Sequence, residues 1–74
     1  MADVAAALSR VLKAELKARG WSARELGRQA ALSPPYASDL VEGRADPSLS
    51  VLCRLADALE VSLDVLAGRA KKGR

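Results

Sequence analysis

The side chains able to do chemistry in this 74-residue chain are twelve Lys and Arg, nine Asp and Glu, several serines, one tyrosine and one cysteine, with no histidine. Without histidine there is no imidazole base for a triad or dyad and no imidazole metal ligand. A single thiol, Cys53, can close neither an internal disulfide nor a thiolate zinc site. The glycines stand at 20, 27, 43, 68 and 73, so no glycine-rich phosphate loop is present. Catalysis, a metal and a cofactor are therefore not expected.

Charge location sharpens that reading. Arg69, Lys71, Lys72 and Arg74 crowd the last six residues, whereas the preceding 68 hold eight cations and nine anions. The body is close to neutral. Residues 69–74 read as a basic tail, expected to be disordered, that either solubilises the terminus or adds phosphate contacts.

Seventy-four residues fit one domain with one marginal core, which dimerisation would reinforce. Fifteen alanines and twelve leucines, with few β-branched residues, favour helix over sheet. The early apolar run from Val4 to Leu8 is too short for a secretory or membrane segment, and a lone cysteine suits a reducing compartment, so a cytoplasmic protein is expected.

Apolar periodicity and capping residues then set out five helices. Val4, Leu8, Val11, Leu12 and Leu16 share one face of a helix over about 4–19, with Asp3 as its cap and Gly20 at its end. Ser22 and Glu25 have capping-box spacing for a helix over about 23–30, with Trp21 stapled onto Leu26. Ser33 caps a third helix, about 34–42, whose first turn holds Pro34 and Pro35, positions where a missing amide proton costs no helix bond. Ser48 starts a fourth over about 49–59, with Leu52, Leu55, Ala56 and Leu59 inward, and Ser62 a fifth over about 63–67 stopped by Gly68. Cys53 lies one step off that inward stripe and is expected to pack partly buried.

Two short helices joined by Ala31, Leu32 and Ser33 form a helix-turn-helix candidate. The surrounding stretches make it specific: Leu16–Leu26, Leu32-Ser33, Leu40–Arg44, Pro47–Leu52 and Leu55–Leu66. Over roughly residues 8–68 the chain resembles the phage repressor and Cro (XRE-type) family of five-helix DNA-binding domains. The resemblance implies an all-α, lambda-repressor-like domain over 1–68. It implies a third helix lying in the major groove of double-stranded DNA and a homodimer reading two half-sites. Carried over by position, Pro34, Pro35, Tyr36 and Asp39 would face base edges. Ser22, Ala23, Arg24, Arg28 and Arg44 would face phosphates, and Arg69, Lys71, Lys72 and Arg74 would add tail contacts. The dimer surface would be the last helix and its flanks, with Leu63, Val65 and Leu66 as candidates.

Departures from the family pattern carry their own chemistry. Gln, Arg, Ser or Asn usually open the recognition helix; Pro34 and Pro35 offer only apolar contact, for instance to thymine methyls. Asp39 is either an acceptor for a cytosine amino group or a solvated carboxylate, and Tyr36 either a donor or a lid on the core. Where the family pairs an arginine of helix 1 with a glutamate of helix 3, this chain has Leu16 and Val41, so packing replaces a buried ion pair. Ala31 stands where a glycine is usual, at about 1 kcal/mol of strain if φ there is positive.

The first expectation is thus a dimeric, sequence-specific DNA-binding regulator acting as a repressor or autoregulator. The alternative is a protein-interaction module, or an antitoxin-type partner, that keeps the fold with weak or lost base reading. A membrane-surface role for residues 4–19 is disfavoured, because the apolar face is needed for the core and the polar face mixes Glu15 with Arg10, Lys13 and Lys17. Val41→Glu alone should lower stability, since it places a carboxylate in the core opposite Leu16; equal or greater stability in denaturant melts would refute the packing argument.

Overall fold

A computed structural model describes residues 4–67 of the chain. Five helices follow in order: α1 (Val4–Arg19), α2 (Ala23–Ala30), α3 (Pro34–Glu42), α4 (Leu49–Leu59) and α5 (Leu63–Leu66). No strand occurs among the described residues. Asp3, Gly68 and the basic residues 69–74 lie outside them.

Four serines start four helices. The hydroxyl oxygens of Ser22, Ser33, Ser48 and Ser62 accept from the amides of Glu25, Tyr36, Val51 and Val65 at 3.1, 3.3, 3.2 and 3.1 Å. Each supplies an acceptor to a first-turn amide that lacks an intrahelical partner, worth about 1 kcal/mol. The capping box at α2 is only half made. Glu25 does not return to the Ser22 amide; its carboxylate is held by Arg28 and Gln29 instead.

Leu8, Leu12, Leu26, Leu40, Leu55, Leu59 and Leu66 are fully buried and make one core from all five helices. Leu16 and Val41 are both buried in the same cluster, at the two positions where the family keeps an ion pair. Trp21 packs against this core from the half-buried rim. Four expectations change. Val4 is exposed rather than inward, and Cys53 is exposed rather than partly packed, because it projects from the outer side of α4. Glu15, which the sequence places on a polar face, is buried beside Arg19. Leu66 is consumed by the core and is no dimer candidate, leaving exposed Leu63 and half-buried Val65.

Two polar contacts tie helix ends to α1, and neither is written in the periodicity. Ser9 donates its hydroxyl to the Val41 carbonyl at 2.6 Å, satisfying one of the last four carbonyls of α3. Arg19 donates to the Leu59 carbonyl at the end of α4 while pairing with Glu15 at 3.3 Å and lying over the Trp21 ring, 5.4 Å from its centroid. A cation at that helix end also suits the negative pole of the α4 dipole.

The α2–α3 turn is the tightest part of the fold. A Cβ added at Gly27 would sit 2.9 Å from the Leu32 carbonyl oxygen and 3.2 Å from Ala37 Cβ, so only glycine permits this approach. Ala31 closes α2 at φ 60°, ψ 44°, in the left-handed region, and Arg54 of α4 reaches its carbonyl at 3.4 Å. Glu60 closes α4 in the same conformation, at φ 56°. Ala31→Gly should therefore stabilise the fold by about 1 kcal/mol, raising the melting temperature by roughly 4–8 °C. Gly27→Ala should destabilise it by roughly 1–3 kcal/mol through overpacking. Thermal melts followed by circular dichroism read both; an Ala31→Gly variant no more stable than the parent would contradict the strain.

Candidate nucleic-acid interface

The expected contact residues gather on the outer side of the α2–α3 pair in two groups. Around the helix starts, a cleft of about 420 Å³ is lined by Ser22, Arg24, Glu25, Arg28, Leu32 and Pro34. The cleft thus borders the start of α2, where the first amides lack intrahelical partners, a feature that suits an anion. Arg24 is exposed there and pairs with no described carboxylate, whereas Ala23 is half-buried against the core and offers only its backbone. Pro34 and Pro35, the first two residues of α3, are exposed and present a donor-free tip. Tyr36 packs against the core from a half-buried position, which favours its role as a lid.

The second group lies roughly 7 Å further along α3, by the axial rise from Pro34 to Asp39. Gly43 ends α3 at φ 77°, and the Arg44 amide then donates back to the Asp39 carbonyl at 2.8 Å. That left-handed turn folds the Arg44 side chain over Asp39. Its guanidinium meets Asp39 Oδ1 twice, from Nε at 3.2 Å and from Nη2 at 3.1 Å. Both groups stay about half in water.

Arg28 is held in a comparable way. Its Nε and Nη2 donate to the two carboxylate oxygens of Glu25 at 3.1 and 2.6 Å, and the Gln29 amide adds a third bond at 2.7 Å. The bonds from Arg28 and Gln29, with the Arg28 charge, hold the Glu25 carboxyl below the ordinary value of 4.5, and Glu25 in turn raises Arg28. The Glu25–Arg28 pair was readable from its three-residue spacing on a helix. The Asp39–Arg44 pair was not, because it depends on the chain reversal at Gly43.

Other features stand apart from this face. A larger cleft of about 780 Å³ between α2 and α4, lined by residues such as Gln29, Arg54, Asp57 and Glu60, holds none of the expected contact residues. Among the described residues, no three His, Cys, Asp or Glu come together to hold a metal, and no helix is long and apolar enough to cross a membrane.

A helix-turn-helix family model matches residues 12–66, which contain the whole α2–α3 unit and most of its supporting helices. The chain belongs to the helix-turn-helix family, of the XRE-type DNA-binding class. A hypothetical transcription factor, NHTF from Neisseria, has a crystal structure similar to this fold at a TM-score of 0.81 and 31% identity, over 86% of this chain and 74% of that one. No curated protein matches. Within the helix-turn-helix frame, α2 and α3 are the two helices of the motif and Ala31, Leu32 and Ser33 its turn.

The Glu25 geometry has a measurable consequence. In an NMR pH titration Glu25 should titrate below 4.5, and Arg28→Ala should move it upward. Since the folded value is the lowered one, its contribution to stability is present above the unfolded value and is lost as pH falls through the folded one. A Glu25 midpoint unchanged by Arg28→Ala would rule out the pair in solution.

Proposed function

We propose that the protein is a sequence-specific regulator of transcription that binds double-stranded DNA as a homodimer, as a repressor or autoregulator. In this reading α3 enters the major groove with Pro34, Pro35 and Asp39 toward base edges, and Tyr36 serves beside them as a lid on the core. Ser22, the Ala23 backbone, Arg24, Arg28 and Arg44 hold the flanking phosphates. The observation that carries it is the exposed α3 start, set beside the Ser22–Arg24 helix entrance in one cleft, within a fold of the DNA-binding family. Pro34 and Pro35 supply shape and apolar contact, so sequence reading falls to thymine methyls and to Asp39. Leu63 and Val65, both accessible beside the core, are the proposed dimer contacts. Arg69, Lys71, Lys72 and Arg74 add sequence-independent phosphate attraction.

A second reading keeps the fold as a protein-interaction module, in the manner of an antitoxin-type partner. It is favoured by one observation: among the described residues, two of the three candidate phosphate arginines, Arg28 and Arg44, are already paired with carboxylates of the same face.

Fluorescence anisotropy on DNA from upstream of the protein's own gene, against a scrambled duplex at low and near-physiological salt, separates the two. Under the first reading, binding prefers the upstream duplex and persists when the four tail cations are replaced by glutamine. Arg44→Ala then weakens binding to the upstream duplex and flattens its salt dependence by about one phosphate contact. Equal binding of both duplexes that vanishes without the tail cations leaves the protein-partner reading.

A further inference from the structure

Arg44 occupies a position suited to phosphate capture, yet its guanidinium is already engaged by a carboxylate on the recognition helix. The two groups are held together by the backbone turn as well as by charge, because the Arg44 amide is fixed to the Asp39 carbonyl. A duplex phosphate that draws Arg44 away from Asp39 leaves a carboxylate facing a polyanion. The base-edge group in the major groove that suits it best is the amino group of cytosine, a donor without the neighbouring N7 acceptor that stands beside the adenine amino group.

Resting on the DNA-binding reading above, we infer that Asp39 is a specificity-determining residue that competes with DNA phosphate for Arg44 and releases it at no net loss only where a cytosine faces α3. On DNA lacking that cytosine, Arg44 stays with Asp39, or leaves it at the cost of an unpaired carboxylate against phosphates. On the correct site, the cytosine amino group takes over Asp39 and Arg44 takes a phosphate. The pair thus suppresses binding to random sequence more than it weakens binding to the site.

The test uses the full chain, its Asp39→Ala variant, Arg44→Ala and the double variant, on the upstream and scrambled duplexes at two salt concentrations. Circular dichroism melts accompany each to show that the variants fold. Asp39→Ala should raise affinity for the scrambled duplex about three- to tenfold, since an exposed ion pair and one nearby repulsive charge are removed. Its salt dependence on that duplex should steepen by about one phosphate contact. In the Arg44→Ala background most of that gain should disappear. A scan replacing each G·C pair of the bound site should reveal one pair whose loss costs the parent about fivefold or more, and costs Asp39→Ala nothing.

Unchanged affinity of Asp39→Ala for the scrambled duplex, an equal gain with and without Arg44, or no such G·C pair overturns the inference while specific binding by the parent leaves the DNA-binding reading standing. Equal binding of both duplexes by the parent overturns the two together.

Discussion

At Gly27 a methyl group would meet the Leu32 carbonyl of the turn at 2.9 Å and Ala37 Cβ of α3 at 3.2 Å, so the turn and α3 approach α2 as closely as a hydrogen atom allows. Much of the outer face depends on that approach. It brings the start of α2 beside the start of α3, so that Ser22, Arg24 and Pro34 border one cleft although twelve positions separate the first from the last. The short link across Ala31, Leu32 and Ser33 then has to reverse direction within three residues. It does so with a left-handed alanine, accepting local strain that Leu26, Ala30 and Leu40 beneath it offset by burial.

Electrostatics follow from the same geometry. The described body is rich in charge, but much of the charge on its outer face is spent internally, Arg28 on Glu25 and Arg44 on Asp39. These pairs are exposed and add little stability. Their effect is to leave the face only weakly cationic, with Arg24 as its unpaired arginine among the described residues. Away from the face, Arg19 does structural work. It binds the end of α4 to α1 and borders Trp21, while the family's ion-pair positions hold Leu16 and Val41.

The helices were legible in the sequence because their signals are local. A serine three residues before an amide, a leucine every third or fourth position and a glycine at a helix end act within one turn, and the four serine caps fall where those signals put them. The unread features are long-range or depend on competition. Glu15 reads as polar surface until the fold buries it beside Arg19. Ser9 has no visible partner until α3 brings the Val41 carbonyl alongside. Glu60 gives no compositional hint of a left-handed turn, since glutamate is not a usual residue there. Leu66 carries the same pattern whether it fills the core or a dimer contact, and only the packing of α5 on α1 and α4 decides for the core.

Pro34 and Pro35 have one more consequence, and it concerns entropy. Their rings fix φ near the helical value at the first two positions of α3, so this tip has little backbone freedom left to lose when anything docks against it. A surface ordered in advance loses less on association than a flexible one. The prolines thus remove hydrogen-bond donors and, by the same covalent constraint, lower the ordering cost of the contact. Whatever this tip recognises, it meets as a rigid shape.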